Sequence, residues 1–203
     1  VRQNGKGGYI DTLANIIIPC KYDWVGRFQN GRANVKLNGL WGHIDNKGNV
    51  TTPIKYESAG QFHKGFSSVK LNKLYGRVNR KGELIIPCEY YGMGGFVVGV
   101  CIVKQIDGDN KPHWGFVDSE GKVVVPVKYD KIRNYKNGRA AVRKGEKWGF
   151  VNQKGKLVIP CKYAHVKDFF ADKTEVTDKN GGKSKRFYVR SGNSSQEIDI
   201  TEV

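Results

Sequence analysis

The chain has 203 residues, of which 35 are lysine or arginine and 19 are aspartate or glutamate, giving a formal net charge of +16. Four tryptophans, nine phenylalanines and ten tyrosines supply enough large apolar surface for a core. No apolar run approaches the roughly 20 residues of a membrane-spanning helix, so we expect no membrane span.

Three marks recur along the chain at one interval, which predicts a repeat protein. The intervals between successive marks are 34, 34, 39 and 34 residues. A period of this size is typical of stacked repeats, in which each unit is stabilised by its neighbours. The marks are a glycine, a proline and a tyrosine: Gly8, Gly42, Gly76, Gly115 and Gly149; Pro19, Pro53, Pro87, Pro126 and Pro160; Tyr22, Tyr56, Tyr90, Tyr129 and Tyr163.

The marks divide the chain into five units over residues 1–176, of which the first and last are incomplete or divergent. Residues 177–203 are expected to form a C-terminal cap or a divergent sixth repeat, since terminal repeats have an outer face that meets water. The approximate bounds of the five units are 1–28, 29–62, 63–96, 97–135 and 136–176.

The first residue lies in the middle of a repeat, because Val1 aligns with Val35 and Val69. The opening "VRQNGKGGYI" has neither an initiator methionine nor the apolar region of a signal peptide. We therefore expect that Val1 is not the natural start. Either a longer array was trimmed, or a C-terminal strand completes the first unit as in closed rings.

Each unit opens with a predicted β-hairpin. In "RANVKL", Ala33 and Val35 alternate with polar residues, which is the pattern of a half-buried strand. Asn38 and Gly39 then favour a type I′ turn, in which both residues have positive φ. The returning strand "LWGHID" carries apolar residues on both faces, so both faces are expected to be buried.

A second turn and a third strand follow. "DNKG", "NRKG", "DSEG" and "NQKG" place an Asx residue three positions before a glycine, a combination typical of turns. A β-branched run such as "KVVVP" follows, and its proline is expected to end the strand or to mark a sheet edge. The connector "YDKIRNYKNG" spaces its apolar residues by three, which predicts a bent or irregular strand.

These elements predict an all-β fold. We expect tandem repeats of about 34 residues, each an antiparallel hairpin or meander, stacked in an open superhelical array. The alternative is a closed propeller-like ring, although 34 residues is short beside a WD40 blade of about 40 to 45 residues.

Two irregular segments interrupt the pattern, the C-terminal end described above and an insertion before Trp114. Five extra residues in "KQIDGDNKPH" lengthen the hairpin turn before Trp114, and contact with a partner is the favoured function for such a loop. Asp107, Asp109 and Asn110 invite a calcium interpretation, but the oxygen ligands of an EF-hand loop are missing, so no metal is expected.

The joint motif resembles the WG repeat family of bacterial proteins, also called KWG. It consists of Trp-Gly with two apolar residues, an Asx turn, an apolar run ending in Pro-x-x-Tyr, and then Phe and Gly before Ala-x-Val. The resemblance covers roughly residues 1–176, and departs at Gly7 and Tyr75, which stand where other units have tryptophan. It implies a β-strand repeat that serves as a binding or scaffold module, and no catalytic residue. The structural anchors are therefore Trp41, Tyr75, Trp114 and Trp148, with the marker glycines and prolines.

Catalysis and cofactors find little support in the residues. Cys20, Cys88 and Cys161 share their position with Ile54 and Val127, so they are interpreted as small hydrophobic residues with free thiols, as in a cytoplasmic protein. Turn carboxylates exchange with asparagine between units, which general acid or base chemistry does not tolerate. We therefore expect no enzyme, no cofactor and no small-molecule substrate, although a site formed between repeats stays open.

The basic residues recur in register, and this is the feature that calls for a function. Stacked units would align them into ladders of like charge, which repel unless they are solvated or bound to an anion. The candidate binding residues are, in one ladder, Arg2, Lys36, Lys70, Lys104 and Arg143, and in the other, Lys21, Lys55, Lys128 and Lys162.

Two functions follow from these ladders. The favoured one is a non-catalytic scaffold that binds a protein partner of unknown identity, within a longer chain. The alternative is binding of a polyanion such as nucleic acid, for which phosphate contacts would make the affinity depend on salt. A third interpretation is a merely solvated surface whose lysines protect sheet edges.

Overall fold

The computed structural model describes residues 1–170, 173–177, 185–189 and 200–202. Every regular element in these residues is a β-strand, and the strands form six small antiparallel sheets. The predicted all-β fold of tandem antiparallel repeats is therefore confirmed. The chain divides into two compact units, Val1–Gly92 and Met93–Val203. Among the described residues there is no helix with the length and apolar character needed to cross a membrane.

The first unit holds three sheets, in which strands adjacent in sequence pair with each other. Sheet 1 contains β1 (Arg2–Gln3), β2 (Lys6–Ile10) and β3 (Ile16–Tyr22). Sheet 2 contains β4 (Trp24–Val25), β5 (Arg32–Leu37), β6 (Leu40–Asp45) and β7 (Val50–Tyr56). Sheet 3 contains β8 (Ser58–Ala59), β9 (Phe66–Leu71), β10 (Leu74–Asn79) and β11 (Leu84–Tyr90).

The second unit repeats this order in three further sheets. Sheet 4 contains β12 (Gly92–Val97), β13 (Val100–Ile106), β14 (Pro112–Asp118) and β15 (Val123–Tyr129). Sheet 5 contains β16 (Lys131–Ile132), β17 (Arg139–Lys144), β18 (Lys147–Asn152) and β19 (Leu157–Tyr163). Sheet 6 contains β20 (His165–Val166), β21 (Lys173–Thr177), β22 (Lys185–Val189) and β23 (Ile200–Glu202).

The sheets begin a few residues before the predicted repeat bounds, because the short connector strand pairs with the hairpin that follows it. Trp24 of the connector pairs with Lys36, for example. The prediction for residues 177–203 falls mainly outside the described residues. Within it, β22 and β23 belong to sheet 6 and pair with each other.

Both predicted turns are confirmed. Asn38 and Gly39 have φ of 51° and 80°, as the type I′ hairpin requires. In the second turn, the Asp45 carboxylate accepts backbone N–H groups from Lys47 and Asn49, and Gly48 has positive φ. The turn chemistry read from the sequence therefore sets both reversals of the chain.

The sequence predicted that the third strand of each repeat ends at its proline or lies at a sheet edge. The first expectation is wrong and the second is confirmed. β15 is an edge strand that continues through Pro126 to Tyr129, and its register against β14 shifts twice. The bulged segment passes over Gly115, where an added Cβ would lie 2.5 Å from the Val125 carbonyl oxygen. The glycine and the proline thus recur together because the bulge needs both. The proline lies on the edge strand, where its missing N–H breaks no pairing, and the glycine on the neighbouring strand leaves room because it has no side chain.

Neighbouring sheets within each unit are joined by pairs of rings. One ring comes from the position two residues after the marker tryptophan, and the other from the connector of the next sheet. The ring centroids are 4.6 to 5.0 Å apart, which suits tilted or edge-to-face contact. The pairs are Tyr9–Phe28, His43–Phe62, Phe116–Tyr135 and Phe150–Phe169.

His43 takes the ring position in sheet 2 and is fully buried. Its Nε2 lies 2.7 Å from the Gly60 carbonyl oxygen, so this nitrogen carries the proton and donates it. Burial lowers the pKa of His43 below its usual range. The imidazole is therefore neutral in the folded protein at neutral pH, and joins sheet 2 to sheet 3.

We expect the stability of the first unit to fall as the pH drops below about 6.5, the pKa of histidine in an unfolded chain. Since the folded state holds His43 neutral, the unfolded state binds more protons, and the loss approaches about 1.4 kcal/mol per pH unit. His43→Phe should remove this loss, since Phe116 and Phe150 occupy the same position in other sheets. The Gly60 carbonyl keeps a donor in the Ser67 hydroxyl.

Urea unfolding at pH 7 and pH 5 checks this expectation, with His63→Gln as the control because His63 is exposed. The control should lose stability on acidification as the wild type does. An equally steep loss in His43→Phe would contradict the assignment.

Candidate binding site

A row of three paired side chains crosses one end of each sheet from the second to the fifth. A basic residue stands opposite the marker aromatic residue, which stands opposite the marker tyrosine. We call these the aromatic–basic rows. They are Lys36–Trp41–Tyr56, Lys70–Tyr75–Tyr90, Lys104–Trp114–Tyr129 and Arg143–Trp148–Tyr163.

The cations of the first ladder lie over the aromatic rings opposite them. Lys36 Nζ is 5.7 Å from the centre of the Trp41 ring, and the guanidinium carbon of Arg143 is 5.8 Å from that of Trp148. Lys70 and Lys104 make the same contact with their own partners. Each such pair contributes about 0.5–1 kcal/mol at an exposed site, so the recurring charge is partly explained by packing within the sheet.

The second ladder makes a similar contact at the marker tyrosines of sheets 1, 2, 4 and 5, whereas in sheet 3 Glu89 precedes the tyrosine. Lys21, Lys55, Lys128 and Lys162 place their ammonium groups 5.3 to 5.7 Å from the centre of the following tyrosine ring. These tyrosines are buried, whereas the four lysines are exposed. The second ladder is therefore the more accessible of the two.

The first sheet departs from the row pattern because Gly7 replaces the aromatic residue. Arg2 pairs with Gly7 and instead donates a hydrogen bond to the Asp23 carbonyl oxygen at 2.7 Å. Lys6 forms an ion pair with the Asp23 carboxylate. In sheet 2 the row is extended, since Trp24 lies opposite Lys36, is 41% exposed and contacts Trp41 at 5.1 Å between ring centres.

The accessible part of each row is its cation and its central ring. Trp41, Tyr75, Trp114 and Trp148 are half-buried, as are Lys36, Lys70, Lys104 and Arg143. The sequence contained a signal for this arrangement. A two-residue turn at Asn38 and Gly39 fixes the hairpin register, and that register alone places Lys36 opposite Trp41.

The second unit contains a groove of about 610 Å³ between sheets 4 and 5. Its lining combines two marker tryptophans with apolar residues and with the whole of the edge strand β16. The lining residues are Ile102, Pro112, Trp114, Asp130, Lys131, Ile132, Arg133 and Trp148.

Arg133 of the groove lining is held by three contacts. Its guanidinium carbon lies 4.6 Å from the centre of the Trp148 ring, and Nη1 donates to the Asp168 carboxylate at 3.0 Å. The same atom lies 3.3 Å from the Val166 carbonyl oxygen. Arg133 thus fixes the Trp148 ring against sheet 6.

Asp130 of the lining lies close to the strand that follows the long hairpin turn. The Asp130 carboxylate accepts the Gly145 N–H at 2.5 Å and lies 3.9 Å from His113 Nδ1. His113 Nε2 is 2.8 Å from the Asp107 carboxylate, and this hydrogen bond is the main reason that the pKa of Asp107 lies below its usual range. The Asp107 carboxylate is therefore engaged within the turn.

The sequence identified the long hairpin segment as a contact candidate, and Pro112 of that segment, the first residue of β14, does line the groove. It did not identify Ile102, Asp130, Ile132 or Arg133. These residues meet only when sheets 4 and 5 pack together, so no spacing along the chain reveals them. The sequence contains one signal for the groove, the apolar Ile102 at the strand position where sheet 2 carries the polar Asn34.

The four thiols of the chain are free, and Cys101 is buried. Burial raises the pKa of the Cys88 and Cys161 thiols, so both are held in the protonated form. Among the described residues, no cluster of three or more histidine, cysteine or carboxylate side chains has metal-binding geometry.

The sequence profile described as "WG containing repeat" matches five tandem segments: 8–41, 41–75, 75–108, 114–148 and 148–181. The chain belongs to the WG containing repeat family. The resemblance read from the sequence is therefore confirmed, and the WG repeat chain is a repeat module of that family. The matches include Tyr75, one of the two departures from the tryptophan pattern, whereas Gly7, the other, lies one residue before the first match.

Solved structures show only distant likeness to this WG repeat chain. A crystal structure of the eukaryotic initiation factor is 12% identical with a TM-score of 0.42, and the match covers 86% of the WG repeat chain and 53% of that chain. The WG repeat chain thus spans about half its length. Kluyveromyces lactis Hsv2p is 7% identical with a TM-score of 0.30, covering 92% and 86%.

The WD40 domain from Toxoplasma gondii coronin is 7% identical with a TM-score of 0.29, and the match covers 94% of the WG repeat chain and 57% of that chain. None of these values supports an inference about function. No curated protein matches the sequence.

Proposed function

We propose that this WG repeat chain is a protein interaction module whose aromatic–basic rows bind a partner protein. The observation that carries the proposal is the recurrence of a half-buried ring under a cation at the same place in four sheets. Tryptophan, tyrosine and arginine dominate the energetics of protein interfaces, because they bury a large area and still form polar contacts. The rows offer these groups on rigid strands.

Pre-organisation also supports binding through the rows. Lysine side chains lose rotamer freedom when they bind, which weakens an interface built on mobile lysines. Here Lys36, Lys70 and Lys104 are already placed over rings. The free thiols support a reducing, cytoplasmic location for the interaction.

Capture of partners by paired charge variants tests the proposal. The row variant carries Lys36→Glu, Lys70→Glu and Arg143→Glu. The turn variant carries Lys47→Glu, Lys81→Glu and Lys154→Glu, all at exposed turn positions, and therefore has the same net charge. We expect a protein retained from nuclease-treated extract of the source cells by the wild type and the turn variant, and lost by the row variant. Equal retention by both variants would contradict the proposal.

A second candidate function is polyanion binding. The net charge of +16 and the exposed second ladder favour it, since lysines attract phosphates and the displaced counterions add to the affinity. Against it, the cations of the first ladder already contact rings of their own sheets instead of standing free in solvent. Protein binding is therefore the function that the geometry supports best.

A further inference from the structure

We propose that the groove between sheets 4 and 5 binds an extended acidic peptide segment of a partner protein, with leucine or proline side chains seated between Trp114 and Trp148. The inference rests on the proposed function and names the chemistry of the partner at one site. Three features of the groove carry it: its apolar wall, its direction along a sheet edge, and the charge around it.

The apolar wall comes from a change at one strand position. In sheet 2, Asn34 donates through Nδ2 to the Ala59 carbonyl oxygen of sheet 3 at 3.0 Å, and so bridges the two sheets. Ile102 holds the equivalent place in sheet 4 and has no group with which to bridge. Together with Pro112, Trp114 and Ile132 it leaves a mainly apolar surface. Apolar clefts with a few polar groups of fixed position are the usual form of binding sites.

The direction of the groove suits an extended chain. Four consecutive residues, from Asp130 to Arg133, line one side, and they include the whole of β16, an edge strand of sheet 5. A wall made from a continuous backbone segment is long in one direction. Extended peptides, and those with proline in particular, dock in aromatic-lined grooves at low entropic cost because proline restricts the free peptide.

The charge around the groove favours an acidic occupant. Lys131 is exposed at its side, Lys104 lies over Trp114, and Arg143 lies over Trp148. Of the nearby carboxylates, Asp168 is paired with Arg133 and Asp107 is bonded to His113, whereas Asp130 accepts the Gly145 N–H and keeps its charge. Glutamate or aspartate side chains beside the apolar residues of a peptide would meet these cations and gain both affinity and association rate.

Fluorescence anisotropy with four labelled peptides tests the inference on the whole chain. The probe carries leucine and proline flanked by glutamates. Its three matched forms have glutamine for glutamate, lysine for glutamate, or serine for leucine and proline. We expect the probe to bind, the glutamine form to bind about tenfold more weakly, and the other two forms to bind more weakly still. Equal binding of the lysine form would overturn the inference.

Three variants locate the site. Trp114→Ala should weaken binding about thirtyfold, as expected for a central interface residue. Lys131→Glu and Ile102→Asn should each weaken peptide binding about tenfold. Ile102→Asn introduces the residue that sheet 2 carries at the same position, Asn34, so the fold accommodates the change. Lys154→Glu and Phe170→Ala, both at exposed positions of the same unit, serve as controls. Wild-type affinity in Lys131→Glu and Ile102→Asn would overturn the site.

Further outcomes separate the two proposals. If the probe does not bind while the row variant still loses a captured protein, the peptide inference fails and the proposed function stands. If neither the probe nor a protein is bound, both fail. A single-stranded oligonucleotide that binds more tightly than the probe, and loses affinity in the same variants, would replace the peptide as occupant.

Discussion

Gly115→Ala is expected to lower the free energy of unfolding by at least about 3 kcal/mol. The added Cβ would lie 2.5 Å from the Val125 carbonyl oxygen and 2.9 Å from Val127 Cα, and both are backbone atoms. Neither can move aside as a flexible side chain would. To relieve the overlap, the bulge in β15 must open, and the pairing of Trp114 with Tyr129 beyond it is lost.

Urea unfolding followed by circular dichroism measures this loss. Gly108→Ala is the matched control, because Gly108 lies in the adjoining hairpin turn and an added Cβ there has no atom within 4 Å. The control should stay within about 0.5 kcal/mol of the wild type. A comparable loss in both variants would mean that the bulge does not require the glycine.

Phe169→Ala is expected to cost about 3–5 kcal/mol, the range for removing a buried phenylalanine side chain. Phe169 is 5% exposed and meets the Phe150 ring edge-on at 5.0 Å between centroids. Its contacts join sheet 5 to the strands of sheet 6. The ring pairs are repeated between neighbouring sheets, so the cost measures how strongly one repeat depends on the next.

The adjacent residue supplies the control for this change. Phe170 is 78% exposed, so Phe170→Ala removes the same side chain without leaving a cavity. We expect its free energy of unfolding to lie within about 0.5 kcal/mol of the wild type. Scanning calorimetry compares the stability of Phe169→Ala with that of Phe170→Ala. Equal stability of the two variants would mean that the repeats are stable independently of each other.

Local patterns predicted most of the fold because its turns are specified locally. Asn38 and Gly39 adopt the positive φ that a type I′ turn requires, and the Asp45 side chain closes the second turn on its own backbone. Alternation in "RANVKL" gave the correct strand. The bulge at the proline was not predicted, because it depends on the approach of β15 to Gly115 across the sheet, which no local propensity encodes.

The candidate site was predicted in part, for a similar physical reason. The ladder cations were found from their register, but interpreted as mutually repelling charges, whereas all of them except Arg2 lie over a ring of their own sheet. Cross-strand partners follow from turn register and were within reach of the sequence. The groove was not, because Ile102 and Arg133 come together only through packing between sheets.

The proposed function of the aromatic–basic rows is to bind protein rather than a polyanion. The most direct test is a salt titration of binding to random-sequence DNA and RNA duplexes, with the wild type, the row variant and the turn variant side by side. We predict that any binding at low salt is weak, disappears as salt is raised, and falls equally in both variants, because it reflects net charge alone. Tight binding with a steep salt dependence, lost only in the row variant, would contradict the account.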